Sequence, residues 1–117
     1  NRYCIENRAA DMTMNVYLAF SMTLSAAVEG IKNKIHPGKP TDQDLYNMTD
    51  GEFKKLGIKR LPRNLLMALE ALKNDKLSDE VIGSVMKKSL LAYKNDEWER
   101  YHQAVTDWEV KEYLRLY

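Results

Sequence analysis

Apolar residues along this chain follow two unequal patterns. Between Val16 and Val28 they occupy Val16, Leu18, Phe20, Met22, Leu24, Ala26, Ala27 and Val28, and no charge appears before Glu29. Further on, leucines and aromatics return near helical spacing among charged residues. The later pattern is that of amphipathic helices with one buried stripe. The earlier one is that of a helix buried on every side, for which 117 residues offer little interior. Other chain segments are therefore expected to cover it.

Local signals divide the rest. Residues 1–11 read as a short strand followed by a loop. Asn15 can cap the apolar helix, which is expected to run to about Glu29 and to weaken at Gly30. Pro37, Gly38 and Pro40 mark a loop, and Thr41 starts a short turn through Leu45 and Tyr46. Thr49-Asp50-Gly51-Glu52 has the form of a capping box and predicts a short helix ended by Gly57. Leu61-Pro62-Arg63 is extended, because the residue before proline avoids helical angles. Asn64 caps a helix carrying Leu65, Leu66, Leu69 and Leu72, ended around Asn74-Asp75. Ser78 opens another turn, Gly83 interrupts it, and a longer helix passes through Leu90, Tyr93 and Tyr101. Thr106-Asp107 restarts a last helix with Trp108, Val110, Tyr113, Leu114 and Leu116. The expectation is a mostly α chain with one short N-terminal strand and five or six helices.

Composition narrows the class. The 18 basic and 17 acidic residues are scattered, so the net charge of +1 builds no field for nucleic acid or anionic lipid. No charge-free apolar run approaches the roughly 18 to 20 residues of a membrane span. The single Cys4 rules out an internal disulfide and fits a reducing cytoplasm. The chain opens at Asn1 without a signal segment, as expected for a piece of a longer chain.

Candidate chemistry is sparse. If Ile5 to Ala9 is extended, Glu6 and Arg8 share a face while Ile5 and Asn7 face the other way. A carboxylate beside a guanidinium can hold a divalent cation and a phosphoryl group together. On spacing alone the same pair reads as an edge-strand ion pair, worth about 0–1 kcal/mol if exposed. His36, ahead of Pro37-Gly38, reads as structural, and His102 as solvated within a charged helix. Trp98, Tyr101, Trp108 and Tyr113 recur near helical spacing, a packing signal. Cys4 has no histidine placed to activate it.

Several blocks, taken together, identify a resemblance. Glu6-Asn7-Arg8 is followed, nine residues after the glutamate, by Asn15-Val16-Tyr17-Leu18-Ala19-Phe20. Then come Gly30-Ile31-Lys32-Asn33-Lys34-Ile35, His36-Pro37-Gly38, Asp44-Leu45-Tyr46, Leu61-Pro62 with Leu65, and Ala68-Leu69-Glu70-Ala71-Leu72. Val105-Thr106-Asp107-Trp108-Glu109 with Tyr113-Leu114 closes the series. In order and spacing the chain resembles the C-terminal part of the glutamine synthetase family, roughly the last quarter of such an enzyme. Ala9-Ala10-Asp11 departs from the usual Phe-Pro-Asp after the arginine. Leu61-Pro62-Arg63-Asn64-Leu65-Leu66, with Glu97-Trp98-Glu99 and Tyr101-His102, is closer to the type III branch, which includes γ-glutamylmethylamide synthetases.

The resemblance implies that residues 1–117 are a C-terminal fragment of a larger α+β catalytic domain. The parent would be an ATP-dependent ligase joining glutamate to ammonia or a small amine such as methylamine through γ-glutamyl phosphate. It implies Glu6 as a ligand of the Mg²⁺ or Mn²⁺ bridging the ATP phosphates, and Arg8 as the group facing the transferred phosphoryl. Arg2 is a weak match for a nucleotide contact. Tyr46 matches a tyrosine adenylylated in some bacterial members, but Asn47-Met48-Thr49 replaces the Asp-Leu-Pro of that regulated type, which argues against modification. A homo-oligomeric ring, packed in part through aromatic C-terminal helices, is implied as well. The alternative is a freestanding helical interaction module derived from the family. Either the ligase fragment or the module fits the residues, and the fragment is expected to be inactive alone.

Overall fold

The computed structural model describes residues 3–114 and contains six helices: α1 Val16–Lys32, α2 Asp50–Lys55, α3 Leu65–Asn74, α4 Lys76–Ile82, α5 Ser84–Gln103 and α6 Asp107–Tyr113. Their starts follow the capping chemistry. The Asn15 side chain accepts from the amides of Tyr17 and Leu18, and that of Asn64 from Met67. Thr49 with Glu52, and Thr106 with Glu109, close two capping boxes.

Three expectations need correction. No strand forms among the described residues: Tyr3 to Asn7 carries no ladder, and Arg8-Ala9 is a turn. A strand needs a neighbour to exchange hydrogen bonds with, and none of the described segments runs beside this one. Gly30 does not weaken α1, which continues to Lys32 before Lys34 turns the chain at φ 52°. Ser78 does not open its own turn. Asp75 caps α4, its carboxylate accepting from the Ser78 amide at 2.7 Å. The break at Gly83 stands, with φ at 77°, where a side chain would be strained.

Packing joins α3 to α5, α1 to α4, and α4 to α5. The apolar core is slight: Phe53 and Leu69 are the buried hydrophobic side chains among the described residues. The radius of gyration is 18.7 Å, against about 13 Å for a compact domain near this length. None of the residues of α1 is buried; Tyr17, Phe20, Leu24 and Ile31 are all exposed. The helix that its pattern marks for all-round burial packs mainly on α4 among the described residues. No helix among the described residues is long and apolar enough to cross a membrane.

Where α4 meets α5, polar groups are buried instead. Ser78 is fully buried and donates its hydroxyl to the Asp75 carbonyl at 2.7 Å. Lys87 is 4% exposed, and its Nζ donates to the same carbonyl at 2.6 Å and to Asp79 Oδ2 at 2.9 Å. The ammonium ties the first turn of α4 to α5 across Gly83. Replacing Lys87 by methionine keeps the aliphatic stem and deletes these charged hydrogen bonds. The expected loss is about 2 kcal/mol, read from the urea unfolding midpoint. Asp79→Asn should cost less, because Asp79 is half exposed and water can replace its partner. Equal losses would contradict this reading.

The caps also set an acid response. Glu52 is held below the ordinary glutamate value of 4.5, first by the Thr49 hydroxyl and then by its amide. Glu109 is lowered from 4.5 by the Thr106 amide first and the hydroxyl second. A carboxylate whose folded value is depressed stabilises in full above its unfolded value, and the stabilisation is lost as pH falls through the folded one. Both boxes are therefore expected to open as pH drops below 4.5. Amide chemical shifts of Thr49 and Thr106 report the opening, and shifts constant through the acid range would contradict it.

Candidate functional site

The segment before α1 is built from short side chains that bind their own backbone. Asn7 Oδ1 accepts the Ala9 amide at 3.0 Å, which bends the chain at Arg8 and Ala9. Asp11 Oδ1 accepts both the amide and the hydroxyl of Thr13, at 2.7 and 2.5 Å. These contacts, the hydroxyl foremost, hold the Asp11 carboxylate below its ordinary range. Asn15 then starts α1. The turns lead into a rigid helix and leave the side chains of Glu6 and Arg8 in solvent.

Glu6 and Arg8 do meet. Arg8 Nε donates to Glu6 Oε1 at 2.8 Å and Nη2 donates to Oε2 at 3.4 Å, a forked contact of guanidinium on carboxylate. The two share a side as expected, although no strand forms there and the turn falls at Arg8 and Ala9. Their side chains are 67% and 84% exposed, so the contact contributes about 0–1 kcal/mol and opens readily to a better partner.

The donor chemistry of Glu6 suits a hard divalent cation, which takes oxygen ligands. The donor count does not: among the described residues no three His, Cys, Asp or Glu side chains converge on a point that could hold a metal.

Other sequence-derived candidates lie apart from this pair. Arg2 falls outside the described residues. Tyr46 is 99% exposed, and its amide donates to Asp44 Oδ1 at 2.9 Å. It stands at a hollow lined by Leu45, Phe53, Ile58 and Leu61. His36 accepts the Gly38 amide on Nδ1 at 3.0 Å, the structural role expected of it. His102 is exposed on α5, as expected; its ring lies 3.7 Å from that of Trp98, and its Nδ1 is 2.9 Å from the Trp98 carbonyl oxygen. Trp108 and Tyr113 pack edge to face at 5.9 Å on α6, and both remain exposed. Cys4 is exposed and free.

One cluster was missed in the sequence. Asp50 bridges Arg60 Nε at 3.0 Å and Arg63 Nη2 at 3.2 Å, while the Arg60 guanidinium lies 3.9 Å above the Phe53 ring. Its signal was the density of basic residues from Lys54 to Arg63.

Comparison with known proteins supplies the context for these positions. A family model described as glutamine synthetase, catalytic domain, matches residues 1–113. A glutamine synthetase of Methanosarcina mazei is 39% identical over 112 residues, covering 96% of this chain and 25% of that relative. One from Methanococcus maripaludis is 37% identical over 112 residues, again 96% of this chain and 25% of the relative. A glutamate–methylamine ligase of Methyloversatilis universalis is 36% identical over 113 residues, 97% of this chain and 25% of that protein. The chain thus spans about a quarter of the length of the curated relatives it matches.

Proposed function

The chain belongs to the glutamine synthetase catalytic-domain family, and on that premise we propose that it is the C-terminal part of an ATP-dependent ligase that forms the γ-amide of glutamate. In this reading Arg8 faces the γ-phosphoryl group of ATP and Glu6 supplies one oxygen to a divalent cation, Mg²⁺ or Mn²⁺. The remaining ligands come from chain beyond these 117 residues. When bound, the cation would share its shell with the ATP phosphates and draw off their negative charge.

The reaction asks little covalent work of the protein. A γ-carboxylate oxygen of glutamate attacks the γ-phosphorus, the bond to the bridging oxygen breaks, and ADP leaves. The amine nitrogen then adds to the γ-carbonyl carbon of the acyl phosphate. Phosphate departs with the former carboxylate oxygen, and the nitrogen loses a proton. Catalysis of the first step rests on positioning and charge neutralisation. A guanidinium supplies both, since its planar fork matches two phosphoryl oxygens. The paired geometry carries this reading: Arg8 already grips a two-oxygen anion, the Glu6 carboxylate, through Nε and Nη2. Exchange of that anion for a phosphoryl group needs only the opening of an exposed contact.

Several finer assignments belong to the same proposal. Arg2 is assigned a nucleotide contact. The exposed apolar surfaces of α1 and α6 are assigned to burial against further chain and against other subunits of a homo-oligomeric ring. Tyr46 is proposed to stay unmodified despite its exposure, given Asn47-Met48-Thr49 after it. The protein is placed in the cytoplasm.

The acceptor amine is the open choice, because the ammonia-using and methylamine-using relatives are almost equally similar. The test is an assay of the natural full-length protein with ATP, glutamate and each amine. Glutamate- and amine-dependent release of phosphate is expected with at least one of the two. No release with either would overturn the ligase reading and favour a binding module.

A further inference from the structure

Three short acceptor side chains, Asn7, Asp11 and Asn15, lead into α1 at four-residue spacing. Each takes the amide two residues on. Asn7 Oδ1 accepts from Ala9 at 3.0 Å, Asp11 Oδ1 from Thr13 at 2.7 Å, and Asn15 Oδ1 from Tyr17 at 3.0 Å. The Asp11 turn is closed a second time by its carbonyl, which accepts the Met14 amide at 3.1 Å. Donor and acceptor belong to the same short stretch in every case, so these turns need no neighbouring segment. A strand at this place would need one.

The first ring matters most, because Arg8 is its middle residue. Closing Asn7 Oδ1 on the Ala9 amide encloses the N–Cα and Cα–C bonds of Arg8, the two soft dihedrals of that residue. Arg8 is thus held twice: at its root by the Asn7 ring, and at its tip by the fork on Glu6. The two holds differ in what becomes of them. In the reading proposed above, Glu6 turns its oxygens to a cation, and the tip is released. The hold at the root survives, since it uses no atom of Glu6.

We propose that Asn7 is a positioning residue for Arg8, a role that rests on the phosphoryl-transfer reading of the pair. Its side-chain carbonyl keeps the arginine backbone set while the guanidinium exchanges a carboxylate for a phosphoryl group. The arginine then need not be ordered anew at the moment of transfer. Asn7 acts through Arg8 and touches neither phosphate nor cation.

Two substitutions in the natural full-length protein test this. Asn7→Leu keeps the size of the side chain and removes the acceptor, while Asn7→Ser returns a shorter, neutral acceptor. Asn7→Leu is expected to lower kcat for phosphate release about tenfold, less than the roughly hundredfold of a misplacement by about 1 Å. KM for ATP and the thermal midpoint should stay unchanged. Asn7→Ser should recover most of the loss. Millisecond hydrogen exchange, read by mass spectrometry on peptides spanning residues 8–10, should be faster in Asn7→Leu and restored in Asn7→Ser. Wild-type kcat or wild-type exchange in Asn7→Leu, or no recovery in Asn7→Ser, would overturn this proposal and leave the role of Arg8 standing. A wild-type protein that releases no phosphate would overturn the ligase reading and this proposal together.

Discussion

Replacing Arg8 by alanine in the natural full-length protein is expected to lower kcat for amide formation by about 10³-fold. That is the lower end of what a phosphoryl-facing arginine contributes. The thermal midpoint should barely move, because the contact that is lost is an exposed one worth about 0–1 kcal/mol. Arg8→Lys should recover little, since an ammonium lacks the planar fork now laid across both oxygens of Glu6. The competing account, in which Glu6 and Arg8 are only a surface ion pair, expects all these variants to keep wild-type kcat. Stability and turnover together therefore separate the two accounts.

The second large effect concerns the 117 residues on their own. Sedimentation should show them self-associating as concentration rises, and they should bind a hydrophobic dye. α1 exposes Tyr17, Phe20, Leu24 and Ile31, while only Phe53 and Leu69 are buried hydrophobic residues among those described. Contiguous apolar surface on that scale is an interaction site or an aggregation liability in water. A second copy is the partner always available. Purified alone, the chain should also show no γ-glutamyl transferase activity, because among the described residues no three His, Cys, Asp or Glu side chains come together to hold a metal. A monomer at high concentration without dye binding would contradict the first expectation, and measurable transferase activity the second.

What could be read from the sequence was whatever is decided within three or four residues. The caps at Asn15, Thr49, Asn64 and Thr106 were legible because each cap and its target amides are local. So was the break at Gly83, where the backbone takes an angle that other residues avoid. The N-terminal strand was not, because a strand is a property of two segments and the pattern of one cannot show that its neighbour is missing. Nothing in the local sequence sets Lys87 apart from the adjacent Lys88. Its burial depends on the turn at Gly83 bringing α5 against the start of α4, eight residues away from Asp79.

The site was legible in a mixed way. Glu6 and Arg8 were expected side by side and are, but alternation along a strand is not the cause. No strand forms there, and the Asn7 side chain bends the chain just beyond, at Arg8 and Ala9. For α1 the pattern marks a helix for all-round burial, while among the described residues none of its side chains is buried. The hollow beside α2 went unnoticed because Leu45, Phe53 and Leu61 share no periodicity and meet only once the chain folds around Arg60.

The proposed roles divide the pair, with Glu6 to hold the cation and Arg8 to hold the phosphoryl group. The most direct measurement is Mn²⁺ affinity by electron paramagnetic resonance, on the natural full-length protein with a non-hydrolysable ATP analogue bound. Wild type is compared with Glu6→Gln and Arg8→Gln. The account predicts weaker Mn²⁺ binding in Glu6→Gln, by tenfold or more at roughly one lost charged ligand, and near-wild-type binding in Arg8→Gln. Unchanged affinity in Glu6→Gln, or an equal loss in both variants, would contradict it.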